Sequence, residues 1–154
     1  MERHLGLTEQ NCQEISKGLS HFLADVYTTY LKTQNFHWNL SGREFYSLHL
    51  LFEKQYQELA EETDEVAERI RALGFYVEAS FTSFKQLTHI KEEENVLTIK
   101  DMLHRLIAAH EMICRHGRNV SRLAEKGEDV ATVDMLGRRI AAHEKMIWML
   151  RSSE

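Results

Sequence analysis

Proline is absent from this 154-residue chain, and glycine occurs only seven times. Proline interrupts helices because its ring fixes φ and removes a backbone donor, and glycine weakens them through its backbone entropy. A sequence poor in both and rich in Leu, Ala, Glu, Lys and Arg is typical of an all-α protein. We expect a single domain over residues 1–154, long enough to enclose a sizeable core.

Long apolar runs and paired cysteines are missing as well. No segment approaches the roughly 18 consecutive apolar residues of a transmembrane helix, and residues 1–7 lack the regions of a signal peptide. The two cysteines, Cys12 and Cys114, show no paired-motif spacing, which favours reduced thiols. These absences predict a cytoplasmic protein without a membrane partner, and they leave nucleoid association open.

Positive charge is scarce at both ends of the chain. The formal net charge is −5, residues 1–11 have Arg3 as their one fixed cation, and the last four residues have Arg151. Nucleic-acid binding depends on Lys and Arg side chains that neutralise phosphates. Strong direct DNA binding is therefore disfavoured, while weak or divalent-bridged binding stays open. The acidic balance agrees with a surface that attracts cations.

Apolar residues that recur every three or four positions predict four long helices and one short helix. The long helices are expected at residues 8–38, 43–73, 98–126 and 129–150, and the short one at residues 82–90. Ser41 and Glu44 fit a capping box at the start of the second helix, and Gly74 and Gly127 fit C-terminal stops. The pattern predicts an all-α four-helix bundle with a long crossover, carrying the short helix, between the second and third long helices.

The second long helix carries four candidate metal ligands on one side. At about 100° per residue, His49, Glu53, Asp64 and Glu68 lie near 0°, 40°, 60° and 100°. The apolar stripe of the same helix lies on an adjacent face and comprises Phe45, Leu48, Phe52, Leu59, Val66, Ile70 and Leu73. The ligand face also carries small or apolar residues that suit a close helix partner, namely Tyr46, Leu50, Ala60 and Ala67.

The spacing of these ligands sets a limit on a single chain. His49 and Asp64 are fifteen residues apart, which is about 22 Å along a helix. Metal–ligand bonds do not exceed about 2.6 Å. If the four residues share a metal, a second copy of the helix must run antiparallel across a two-fold axis. His49 and Glu53 of one subunit would then meet Asp64 and Glu68 of the other.

The remaining histidines give no independent metal motif. An intrachain di-iron site in a helical bundle needs two Glu-x-x-His motifs on separate helices, and the sequence has none. His143 lies on the apolar stripe of the last helix, where a hydrogen-bonded core side chain is expected. His37, taken alone, is best explained by a favourable interaction with a helix C-terminus. An intrachain di-iron centre is therefore not expected.

Three segments taken together resemble the signature of the Dps family, mini-ferritins named as DNA-binding proteins from starved cells. They are His37-Trp38-Asn39-Leu40-Ser41-Gly42, Phe45-x-x-Leu48-His49-x-x-x-Glu53 and Asp64-x-x-Ala67-Glu68-Arg69-x-x-x-Leu73-Gly74. Residues 143–150 are similar to the fourth helix of that family. The similarity spans essentially the whole chain and implies a ferritin-like fold.

The resemblance implies a ferroxidase site at a dimer interface. His37, His49 and Glu53 would come from one subunit, and Asp64 and Glu68 from its partner. Imidazole and carboxylate ligands suit Fe(II), and carboxylate oxygens favour the Fe(III) product. Many relatives have Asp at the position of Glu53, and the longer side chain here leaves direct or water-mediated contact open.

The resemblance further implies hydrogen peroxide, more than dioxygen, as the oxidant and a hollow homododecamer that stores ferric oxide. Trp38 is a candidate electron donor, with interface packing as the alternative role. Glu128, Asp129 and Asp134 are candidates for an acidic iron-entry pore. Capping by Asp129 and dipole matching by Asp134 are the alternative.

Two other functions compete with iron oxidation. One is DNA compaction, as the family name suggests. The other is a helical scaffold with an inert site, for which altering Asp64 or Glu68 would leave iron chemistry unchanged.

Overall fold

The computed structural model describes residues 4–154, so Arg3 and the rest of the first three residues lie outside the described part. The described residues form five helices and confirm the predicted all-α architecture. They are α1 (Glu9–Asn39), α2 (Phe45–Ala72), α3 (Phe81–Leu87), α4 (Ile99–Lys126) and α5 (Val130–Arg151). The short helix predicted in the crossover is α3, and it ends three residues earlier than expected.

Side-chain caps set the start of four of these helices. The side chains of Thr8, Ser80, Thr98 and Asp129 each accept a hydrogen bond from a backbone N–H in the first turn of the following helix. Such caps satisfy N–H groups that have no partner within the helix. The local sequence therefore determines where α1, α3, α4 and α5 begin.

The predicted capping box of α2 is wrong. Helix α2 begins after Glu44, whose side chain makes no capping hydrogen bond. Gly42 adopts a φ of 123° and its carbonyl accepts a hydrogen bond from the Phe45 N–H. This turn delays the helix until Phe45, so Ser41 lies outside the first turn and cannot cap it.

The helices pack as two hairpins around a shared core. Helix α1 contacts α2 and α4, α4 contacts α5, and α3 packs on α1. The core side chains that are completely buried include Phe22, Phe52, Leu59, Leu106 and Leu136. None of the helices within residues 4–154 is long and apolar enough to cross a membrane. The crossover places α3 against α1.

Two helical glycines differ in the space around them. A Cβ added at Gly117 in α4 would lie 3.1 Å from Ile140 Cγ1 of α5 and 3.1 Å from Phe22 Cε2 of α1. A Cβ added at Gly137 in α5 would meet nothing within 4 Å. Gly117 is therefore needed for the close approach of three helices, whereas Gly137 is not needed for packing within the chain.

We expect opposite effects from alanine at these two positions. Gly117→Ala should destabilise the fold by about 1–3 kcal/mol because core overpacking forces neighbouring side chains to shift. Gly137→Ala should stabilise it by about 0.5–1 kcal/mol through the higher helix propensity of alanine. Urea denaturation of both variants beside the native chain measures the difference. Equal stability of the two variants would contradict this account of the packing.

Candidate metal centre

His37 and His49 form a reciprocal pair at the α1–α2 hairpin. His37 Nδ1 lies 2.8 Å from the His49 carbonyl oxygen, and His49 Nδ1 lies 2.9 Å from the His37 carbonyl oxygen. The two rings stack with centroids 3.7 Å apart and planes 13° from parallel. His37 is buried, and His49 is half-buried. His37 therefore contacts a specific residue of α2, in addition to lying in the last turn of α1.

These hydrogen bonds fix the tautomer of both imidazoles. A carbonyl oxygen can only accept, so each Nδ1 carries the proton and donates it. In the neutral ring the other nitrogen, Nε2, then keeps an unshared electron pair. Metal-binding histidines use this arrangement, in which a backbone carbonyl orients the ring and raises its basicity as a ligand. The pair therefore fits the imidazole half of an iron site.

Glu53 lies one helical turn after His49 and brings a carboxylate to the same region. Burial raises the pKa of the Tyr56 hydroxyl, and the nearby Glu53 carboxylate and Tyr30 raise it further. The Tyr56 ring in turn meets His37 edge-on at 5.1 Å. Tyr56 therefore links the Glu53 carboxylate to the histidine pair.

Asp64 and Glu68 are exposed on the same helix, three to four turns further on. Helix α2 runs unbroken from Phe45 to Ala72, so the distance of about 22 Å between His49 and Asp64 remains. Within one chain, His37 and His49 are in direct contact, Glu53 approaches them through Tyr56, and Asp64 and Glu68 lie further along α2. The donor set suits Fe(II), since it combines imidazole nitrogens with carboxylate oxygens.

The three candidate pore residues have different environments. Asp129 is buried and accepts hydrogen bonds from the backbone N–H and the hydroxyl of Thr132 and from Arg69. Burial alone would raise its pKa, but these hydrogen bonds and the Arg69 charge outweigh burial and lower it. Asp129 therefore acts as the helix cap and ion-pair partner of Arg69, which removes it as a free pore carboxylate. Glu128 and Asp134 are exposed, and Asp134 pairs with Arg138 at 3.1 Å.

The cysteines supply no ligand to this region. Cys12 and Cys114 are both buried and neither forms a disulfide, as expected for reduced thiols. Burial, with a contribution from Glu144, raises the pKa of the Cys114 thiol to about 11. A thiol with that pKa stays protonated near neutral pH, so Cys114 behaves as a core residue.

A buried polar chain crosses the bundle core. His143 Nε2 lies 2.8 Å from a Glu62 oxygen, and His143 Nδ1 lies 2.8 Å from His110 Nδ1. All three residues are at most 1% exposed. The prediction that His143 is a hydrogen-bonded core residue is confirmed. Its partners were not predicted, because Glu62 and His110 come from other helices.

A third group of polar residues was not predicted from the sequence. Asp25 on α1, His89 after α3 and His116 on α4 bring their side-chain oxygen and nitrogen atoms within 4.8 Å of one another. The residues are 64 and 27 positions apart along the chain. The one local signal was His21 and Asp25, four residues apart and so on the same face of α1.

Comparison with known proteins identifies the class to which the chain belongs. The model of the ferritin-like domain, described as Ferritin, matches residues 16–153. The fold is also that of a solved Dps protein from Vibrio cholerae O1, described as a member of a broad superfamily of ferritin-like diiron-carboxylate proteins. That structure has a TM-score of 0.93 and 29% identity, over 97% of this chain and 94% of the other. The chain belongs to the ferritin-like family.

Sequence relatives narrow the class further. A DNA protection during starvation protein from Porphyromonas gingivalis is 37% identical over 94% of this chain and 91% of that protein. An uncharacterized low temperature-induced protein from Nostoc is 38% identical over 97% of this chain and 84% of that protein. The solved antigen TpF1 from Treponema pallidum has a TM-score of 0.89 and 30% identity, over 94% of this chain and 93% of the other. Within the ferritin-like family, the chain is a member of the Dps family.

The buried polar chain predicts a specific pH dependence of stability. Burial, reinforced by His143, holds the pKa of His110 well below its usual 6.5. The unfolded chain therefore binds a proton at His110 that the folded chain does not, so stability falls as the pH drops below 6.5. His110→Leu should flatten this fall, by at most about 1.4 kcal/mol per pH unit.

Urea midpoints measured between about pH 5 and pH 7.5 test this expectation. His104→Gln is the matched control, because His104 is exposed and should leave the fall in place. Parallel pH profiles for the native chain and His110→Leu would contradict the assignment to His110.

Proposed function

We propose that this protein is a ferroxidase and iron-storage mini-ferritin whose iron site is shared between two subunits. The observation that carries the proposal is the reciprocal His37–His49 pair, in which both Nδ1 atoms bind backbone carbonyls and each Nε2 is left to bind a metal. Two exposed carboxylates, Asp64 and Glu68, lie on the same helix too far away to join them within one chain. A two-fold axis between antiparallel copies of α2 would complete the site twice per dimer.

Exposed apolar side chains support an interface beside the histidine pair. Trp38, Tyr46 and Leu50 are 61%, 74% and 43% exposed, and Phe81 of α3 is 79% exposed. Trp38 and Phe81 line the same groove along α1 and α3. Aromatic and aliphatic groups of this size are typical of the buried centre of subunit interfaces. Trp38, Tyr46 and Leu50 lie close to His37 and His49 along the chain, which favours a partner subunit at the site.

Iron is the substrate in this proposal. His37, His49 and Glu53 of one subunit would bind Fe(II) with Asp64 and Glu68 of its partner. Each of two Fe(II) ions loses one electron, and hydrogen peroxide takes up two electrons and two protons to give two waters. Pairing the two one-electron steps avoids release of hydroxyl radical. Trp38, next to His37 in the chain, is the candidate donor for an unpaired oxidising equivalent.

Storage requires a closed shell and an entrance. We propose a homododecameric cage, as the family membership suggests, with Fe(III) stored as mineral inside it. Glu128 and Asp134 are the remaining candidates for an acidic entrance, because both are exposed near the start of α5. A ring of carboxylates would raise the local concentration of Fe(II).

Subunit mixing tests the shared site directly. We expect His49→Ala and Asp64→Ala homo-oligomers each to lose rapid peroxide-driven Fe(II) oxidation, measured by absorbance. When the two variants are unfolded, mixed in equal amounts and reassembled, half of the two-fold dimers are mixed and one of their two sites is intact. Activity should therefore return to about one quarter of the native value.

The matched control is Glu14→Ala, which removes an exposed carboxylate of α1 and should keep native activity. An active site held within one chain predicts no recovery on mixing, because every chain carries one defect. Native activity in both separate variants would instead support an inert scaffold. Size-exclusion chromatography establishes that each sample assembles.

DNA compaction is the competing function, and the charge of the chain argues against it. The net charge is −5, and the two ends of the given sequence have few fixed cations to neutralise phosphates. We expect no mobility shift of duplex DNA at low salt without added metal. A strong, sequence-independent shift under those conditions would put DNA binding ahead of iron storage.

A further inference from the structure

Asp25, His89 and His116 lie together outside the residues of the proposed ferroxidase site. We propose that they form a second metal site, within a single chain, for a divalent transition metal of the zinc class. Two imidazoles and one carboxylate, with a remaining position open to water, are a common ligand set for such ions.

The Asp25 carboxylate is the centre of the cluster. Its side chain is completely buried, while those of His89 and His116 are 45% and 27% exposed. Asp25 Oδ2 lies 3.1 Å from His89 Nδ1 and 2.9 Å from His116 Nδ1. The carboxylate thus lies at the buried end of the site, and the two imidazoles lie on the side that faces solvent.

These distances are close to those that a bound metal requires. Ligand atoms that surround a tetrahedral ion at about 2.0–2.2 Å are about 3.3–3.6 Å from one another. Replacing the bridging protons by a metal therefore needs each imidazole nitrogen to move away from Asp25 Oδ2 by only a few tenths of an ångström. Because metal and protons compete for the same atoms, binding should release protons and weaken at acidic pH.

The surrounding hydrogen bonds hold the ligands in place before a metal binds. Asp25 Oδ1 accepts from the Thr88 hydroxyl at 2.9 Å and from the His89 backbone N–H at 2.7 Å. His21 Nδ1 donates to the Leu87 carbonyl at 3.0 Å and so fixes the start of the segment that carries His89. Such outer partners orient metal ligands and commonly account for about 10–100-fold in affinity.

A metal here would connect three parts of the fold. Asp25 belongs to α1, His116 to α4, and His89 to the crossover just after α3. The cluster therefore fastens the crossover to both helices at one point. An ion that binds only this folded arrangement would stabilise it in proportion to its concentration and affinity.

Zinc titration of the assembled protein tests the proposal. The background is the variant His49→Ala/Asp64→Ala, which removes two of the five proposed ferroxidase ligands, one from each half of the shared site, and so separates the result from that function. With Zn²⁺ alone as the probe, calorimetry should find one tight site per chain. Adding His89→Gln and His116→Gln should weaken it at least about tenfold, whereas adding the exposed control His104→Gln should not. Zinc should raise the thermal midpoint of the background but not that of the His89→Gln/His116→Gln protein.

Crystals of the native protein soaked in zinc give a second readout that does not depend on variants. An anomalous peak bounded by Asp25, His89 and His116 is the expected result. Absence of that peak at saturating zinc, or unchanged zinc affinity after both glutamine substitutions, would overturn the proposal.

Discussion

The length of one unbroken helix is the constraint on which the proposed activity depends. Helix α2 extends over 28 residues, so His49 and Asp64 on the same side of it stay about 22 Å apart. No rearrangement within the chain brings them to one ion without breaking that helix. If both residues bind the same iron, catalysis cannot exist before assembly. The exposed aromatic residues beside His37 and His49 then serve the chemistry as well as the contact between subunits.

The hydrogen-bond partners of each histidine determine which of its ring nitrogens is available to a metal. His37 and His49 each give their Nδ1 proton to a carbonyl of the other residue, and this leaves both Nε2 atoms available. In His143, one ring nitrogen is hydrogen-bonded to Glu62 and the other to His110. Neither nitrogen is available to a metal, so His143 is a structural core residue. The three side chains have the same chemistry and different roles because their hydrogen-bond partners differ.

Properties repeated along one helix could be predicted from the sequence, and contacts between helices mostly could not. Periodicity gave the long helices and the common face of His49, Glu53, Asp64 and Glu68, because both depend on the fixed rotation per residue. The capping box failed because the positive φ of Gly42 redirects the chain before α2. The role of Asp129 as a buried partner of Arg69 depends on a contact between α2 and the start of α5.

The cluster at Asp25 shows why a proposed metal site can be impossible to predict from the sequence even when its residues are common metal ligands. Its ligand atoms come together only after the crossover has packed on α1 and α4. The spacing of these residues along the chain therefore does not predict the cluster. It also differs physically from the proposed iron site. Asp64 and Glu68 are exposed, as suits an ion that must arrive, react and leave. Asp25 is buried and already fixed by two donors through Oδ1, which favours an ion that stays and holds the fold.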